Sequence, residues 1–120
     1  MAGAIDIRVK RVYEPAQPAD GQRVLVDRLW PRGVSKEKAA LTLWLKDIAP
    51  SDELRHWFDH KAERWEEFQR RYAAELAGKD EPLRQLGNLL DNGRVTLLYG
   101  AHDERHNNAV ALAAWLQAQK

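Results

Sequence analysis

The order of apolar and polar residues along the chain predicts an alternation of strands and helices. Ile5-Asp6-Ile7-Arg8-Val9-Lys10-Arg11-Val12-Tyr13 alternates β-branched with polar residues, the two-residue period of a strand with one buried face, and predicts a first strand at a sheet edge. Pro15, Pro18 and Asp20-Gly21 then mark Glu14 to Gly21 as a loop. In Arg23 to Trp30 a short apolar run predicts a strand covered on both faces. After Pro31-Arg32-Gly33-Val34, Ser35 is placed to cap a short helix over Lys36 to Ala40. Leu41 to Leu45 is read as a third strand.

Pro50-Ser51-Asp52-Glu53 is a helix start, with a capping Ser and two acids complementing the helix dipole, and the helix is expected to reach about His60. Trp65, Phe68, Tyr72 and Leu76 recur at three- and four-residue spacing, one stripe of a helix ending near Gly78. Leu83, Leu86, Leu89 and Leu90 repeat the pattern until Asn92-Gly93 stops it. Arg94 to Tyr99 reads as a strand, followed by a last helix capped by Asp103 that buries Val110, Ala113 and Leu116 or their neighbours. Strands separated by helices require crossover connections. The expected fold is therefore α/β: one small domain, residues 1–120, with a mainly parallel sheet of about four strands flanked by helices in a Rossmann-like layering.

Composition narrows the chemistry. Nineteen Lys and Arg against eighteen Asp and Glu leave a net charge of +1, too little for a global field that recruits nucleic acid or an anionic membrane. Nucleic acid is therefore the less favoured partner, and any basic site must be local. With no cysteine, disulfides, thiol nucleophiles and cysteine-held metals are excluded. Neither a signal-peptide pattern at Met1 to Lys10 nor an apolar run long enough for a bilayer is present, so a cytoplasmic protein without membrane attachment is expected.

Two polar clusters fall at predicted strand ends, where α/β proteins place their ligands. The first, Asp27-Arg28-Leu29-Trp30-Pro31-Arg32-Gly33, offers guanidiniums for bidentate recognition of phosphate or carboxylate and an indole for stacking. The alternative is an Asp27–Arg ion pair holding the loop while Trp30 fills the core. The second runs from Tyr99-Gly100-Ala101-His102 through Asp103-Glu104-Arg105-His106-Asn107-Asn108. Asp103 as N-cap would put His106 at the third helical position and the two Asn just behind it. Each Asn costs a helix roughly 0.5 kcal/mol relative to Ala, so the pair calls for a reason. His106 is the candidate proton-transfer residue, its ring oriented by Asp103 or Asp27. The alternative is a capping arrangement with no ligand. If both strands end on one sheet edge, the clusters meet there.

His56 with His60 and His102 with His106 stand at i, i+4 spacing, the spacing of zincin helices, but no Glu follows the first His of either pair. No metal and no cofactor is assigned. Trp44, Trp57, Trp65 and Trp115 are expected in the core. Lys46 and Asp47, just past the third strand, are placed to face the cleft, whereas Arg64, Arg70 and Arg71 with Glu66, Glu67 and Glu75 read as solvated surface pairs. Ser35 and Ser51 read as caps, and no phosphate-loop, dinucleotide or hydrolase-elbow motif occurs.

Val26-Asp27-Arg28-Leu29-Trp30-Pro31-Arg32-Gly33, Trp44-Leu45-Lys46-Asp47-Ile48-Ala49-Pro50-Ser51 and Leu98-Tyr99-Gly100-Ala101 through His106-Asn107-Asn108-Ala109 together closely resemble the YeaO-like group of bacterial proteins, members of domain-of-unknown-function family 488. The resemblance spans Ile5 to about Gln117. It implies a compact bacterial cytoplasmic α/β domain and brings no established reaction; His56 and His102 fall outside the pattern.

Two functions are expected to compete. In one, an anionic small molecule or a nucleotide-type ligand binds at the C-terminal edge of the sheet, held by Arg28, Arg32, Gly33, Lys46, Asn107 and Asn108 and flanked by Trp30 or Tyr99. His106, Asp27 and Asp103 would then supply hydrolase or transferase chemistry. In the other, the same Arg/Trp surface recognises nucleic acid or a protein without catalysis.

Overall fold

The computed structural model describes residues 5–119. Four strands, β1 (Ile7–Arg11), β2 (Gln22–Leu25), β3 (Leu43–Trp44) and β4 (Val95–Tyr99), form one sheet in the order β1-β4-β2-β3. All pairings are parallel, with Ile7 opposite Val95, Gln22 opposite Val95 and Val24 opposite Leu43. The helices are α1 (Lys36–Ala39), α2 (Asp52–Phe58), α3 (Trp65–Leu76), α4 (Asp80–Asp91) and α5 (Asn108–Ala118). The expected α/β layering is thus present, with β1 at an edge.

Alternate residues of the central strands feed two separate cores. Val24 and Val26 with Val95, Leu97 and Tyr99 face one side, where Leu54, Phe58, Phe68, Tyr72, Leu76, Leu86 and Leu112 from α2 to α5 cover them. Leu25 and Leu98 face the other, covered only by Val12, Ala39 of α1, Trp30, Val34, Leu41 and Trp44. The second layer is therefore a short helix plus a loop pinned by its tryptophans. Trp30 Nε1 donates to Val34 O at 2.7 Å, Trp44 Nε1 donates to Asp27 O at 2.8 Å, and the rings meet edge to face with centroids 5.3 Å apart.

Ser35 and Ser51 cap α1 and α2, accepting from the Lys38 and Leu54 amides at 3.1 Å. The stripe Trp65, Phe68, Tyr72, Leu76 lies inward, and the buried Tyr72 hydroxyl donates to Ile48 O at 2.6 Å. Several boundaries differ from expectation. The second strand stops at Leu25 rather than Trp30 because Asp27 and Trp30 turn to side-chain contacts across the strand ends. The third keeps two residues, Leu43 and Trp44, of the five expected. α2 ends at Phe58 rather than His60: Asp59 and His60 both take left-handed backbone, with φ of 49° and 55°. In α5 the buried residues are Ala109, Ala111 and Leu112, the neighbours of those named from periodicity, because an almost wholly apolar helix leaves periodicity little to read. Arg70 and Arg71 pair with Glu67 as expected, but Glu75 instead accepts from the Ser51 amide and hydroxyl at 2.8 and 2.6 Å. Arg64 donates to Trp57 O, and Arg64 and Arg71 stack on the Trp57 ring. Among the described residues no helix is long and apolar enough to cross a membrane.

Candidate functional site

From the C-terminal ends of the adjacent strands β2 and β4 the chain departs to opposite faces, to α1 on one and α5 on the other. Open parallel sheets hold ligands at such a divergence. A cleft of about 870 Å³ opens there. Asp27 to Arg32 form one wall, Gly100 to Asp103 with His106, Asn107 and Asn108 a second, and α2 with the turn after it a third.

Backbone and side chains join the first two walls. The Gly100 amide donates to Asp27 Oδ2 at 2.8 Å, and Asn108 Nδ2 donates to Val26 O at 2.9 Å. A side chain at Gly100 would put its first carbon 3.2 Å from that carboxylate oxygen, a tight contact that glycine avoids where the walls approach. Burial pushes the Asp27 carboxyl above the usual carboxylate range, against the opposing pull of the Gly100 amide, the Asn108 side chain and the Arg55 charge.

Asp103 is not the N-cap of α5. That position belongs to Asn107, whose Oδ1 accepts from the Val110 amide at 2.9 Å while its Nδ2 donates to Asp103 O at 2.9 Å. Asn108 is the first helical residue, and its side chain reaches back to β2. The two Asn are therefore an N-cap and an interwall tie, and His106 precedes the helix. Asp103 instead organises the preceding turn: its Oδ1 accepts from the Arg105 and His106 amides at 2.9 and 3.0 Å, and its Oδ2 lies 2.9 Å from His106 Nδ1. These donors, the Arg105 amide foremost, hold the Asp103 carboxyl below its usual range. The carboxylate favours the tautomer with its proton on Nδ1, leaving Nε2 as the basic nitrogen, and the edge of Trp65, 5.3 Å away, fixes the ring from a second side. Of the two orienting carboxylates expected, Asp103 fills the role.

Arg28 and Arg55 converge on one acid. Arg55 donates to Asp52 Oδ1 at 2.8 Å, and Arg28 Nε lies 3.9 Å from the same oxygen. The Nε atoms of both arginines are buried and hydrogen-bond to nothing among the described residues. Arg32 also lines the cleft, its backbone held by the Tyr13 hydroxyl at 3.0 Å and its side chain exposed. Trp30, Pro31, Phe58 and Phe68 supply apolar wall between these charges.

Three expected site residues stand elsewhere. Lys46 does not line the cleft but lies over the Trp44 ring, 5.1 Å from its centroid. Tyr99, the last residue of β4, is buried in the helix-covered core and does not line the cleft. Gly33 gives the loop its positive φ of 78° and stays outside the cleft wall. Conversely, Arg55, His56, Asp59 and His60 line the cleft although no role was expected of them. The signal was in the paired spacing of the histidines: all four of the chain line this one cleft. Among the described residues no three His, Asp or Glu side chains gather to hold a metal ion. A smaller hollow of about 420 Å³ near the starts of β1 and β4 has its main charges already paired, Lys10 with Asp20 and Arg94 with Asp6.

Comparison with known proteins agrees with the three motifs. The chain is 43% identical over 114 residues to the uncharacterized protein YeaO of Escherichia coli (strain K12), covering 95% of this chain and 99% of that one. It is 42% identical over 113 residues to the uncharacterized protein Rv3073c of Mycobacterium tuberculosis (strain H37Rv) and to Mb3100c of Mycobacterium bovis, covering 94% of this chain and 95% of each. No solved structure matches. A family model described as the inactive DUF488-N3 subclade matches residues 6–120, and the chain accordingly belongs to the YeaO-like DUF488 family, within that subclade.

Proposed function

We propose that this protein binds an anionic small molecule of nucleotide type in the cleft between β2 and β4. The observation that carries this reading is the pair of arginines, Arg28 and Arg55, in the lining of an otherwise largely apolar cleft, their Nε atoms hydrogen-bonded to nothing among the described residues. Guanidiniums short of acceptors are costly to hold against an apolar wall, and an anion that meets their remaining N–H groups relieves that cost. Apolar walls with a few converging polar groups are the ordinary make-up of a small-molecule site. The description of the subclade as inactive favours binding without turnover.

A second reading, hydrolysis or transfer with His106 as general base, draws on the Asp103–His106 contact of 2.9 Å, the geometry by which a carboxylate orients a catalytic imidazole. Thermal denaturation at fixed ionic strength with inorganic phosphate and a series of nucleotides tests the first. At least one anion is expected to raise the melting temperature, and Arg32→Ala to diminish the rise. Absence of any anion-dependent rise would reject it. Turnover of a stabilising nucleotide that is lost in His106→Gln would move the assignment to the second reading, and steeply salt-dependent nucleic-acid binding would move it to a nucleic-acid module.

A further inference from the structure

We infer that the cleft selects a dianionic phosphomonoester, gripped by Arg28 and Arg55 as a two-guanidinium clamp that Asp52 holds in place. This inference rests on the anion-binding reading above and narrows it to a ligand class and to the residues that recognise it.

The clamp is assembled from two distant parts of the chain. Arg28 comes from the loop after β2 and Arg55 from the middle of α2, yet both reach the same oxygen of Asp52, at 3.9 and 2.8 Å. Two like charges brought this close repel unless an acid sits between them, and Asp52 supplies it at the first position of α2. Its own side chain is 64% exposed, so water screens its charge from a ligand that meets the remaining terminal nitrogens of the guanidiniums. The two guanidiniums can meet separate oxygens of one terminal phosphate, a geometry that planar Arg forks fit.

Other acids at the cleft do not compete for this pair on equal terms. Asp103 is engaged by two amides and the His106 ring, and Asp27, although it feels the Arg55 charge, is held by the Gly100 amide and makes no ion pair with either arginine. Asp59 is exposed at the rim. Asp52 thus remains the acid nearest to both guanidiniums, through one oxygen only, and leaves them donors to spare. A terminal phosphate offers three oxygens and nearly two charges; a diester offers fewer oxygens and one charge. The apolar wall of Phe58 and Phe68 lies beside Arg55, so the organic part of the ligand has a surface to cover.

Calorimetric titration at pH 8 with adenosine 5′-monophosphate, its 3′,5′-cyclic diester and inorganic phosphate tests the inference. The monoester is expected to bind at least about tenfold more tightly than the cyclic diester. Arg55→Gln and Arg28→Gln should each bring that ratio close to one, and Asp52→Asn should lower it with less loss. Circular dichroism of each variant separates recognition from misfolding. Equal binding of monoester and diester, with both weakened by Arg32→Ala, would overturn the clamp while leaving the anion site standing. Failure of all three probes to bind would overturn the clamp, and failure of every other anion as well would remove the anion site with it. A ratio unchanged in Arg55→Gln and Arg28→Gln would assign selectivity to other residues and also overturn it.

Discussion

Asp27 shows how one residue serves the fold at a cost that pH can reveal. Its carboxyl is pushed up by burial, so the folded chain holds the proton more tightly than the unfolded chain, whose Asp titrates near 3.9. Stability is then greatest below that value and falls as pH rises through the elevated folded pKa, levelling above it. Asp27→Asn keeps an oxygen for the Gly100 amide and removes the ionisation. Chemical denaturation should therefore find the variant more stable than the parent at pH 7 to 8, with the advantage vanishing on acidification to pH 3.5. An advantage of equal size at both ends would show that burial of the charge is not its cause. Asp103 is shifted the opposite way by its donors; one cleft thus holds two acids of different character, a mark of functional sites more often than of plain surface.

At the scale of the element, the start of α5 depends on Asn107. Asn107→Ala removes the oxygen that accepts from the Val110 amide and should cost about 0.5–2 kcal/mol, a melting-temperature drop of several degrees. Asn107→Ser, which restores a capping oxygen, should recover most of it; a drop of the same size in both variants would place the loss in the Asp103 O contact instead. The sequence made the strands, the capping serines and the inward stripe of α3 legible because each has a local physical signal: period, cap chemistry or spacing. Asp103 imitated a cap because it, too, is a short acceptor three residues ahead of backbone donors; the choice between Asp103 and Asn107 is made by where α5 packs. Tyr99 and Lys46 were misplaced for a related reason. The site's sheet edge can be read from strand order, whereas which way a strand-end side chain turns is decided by neighbours distant in sequence. Arg55 was missed because the fold of α2 against α3 brings it to the cleft, of which helical periodicity says nothing, whereas for His60, beyond the end of α2, the spacing from His56 was the one signal.

Across the whole molecule the parallel sheet requires every strand pair to form over a crossover, and its centre is β4, with strands on both sides and all five residues buried. Native-state hydrogen exchange should find the amides of Val95 to Tyr99 opening only with global unfolding, while those of Leu29 to Val34, at the exposed loop of the thin second layer, open locally. Equal protection in both would mean that this loop is part of the cooperative core. The same central position raises a question of alignment. β4 buries all five of its residues, Thr96 the one polar side chain among them, and β2 buries the charged Arg23 beside Val24 and Leu25, so the clean alternation of apolar and polar residues that usually guards register is weak in this pair. What fixes the alignment is polar: at one end of the pair Gln22 Nε2 donates to Arg94 O at 3.2 Å and the Thr96 hydroxyl to Asp20 O at 2.7 Å, and at the other Gly100 meets Asp27 and Asn108 meets Val26. Half of those pins are the cleft's own walls. Substitutions that refashion the cleft thus also loosen the gauge by which the two central strands find their alignment, and variants there are constrained first by accurate assembly.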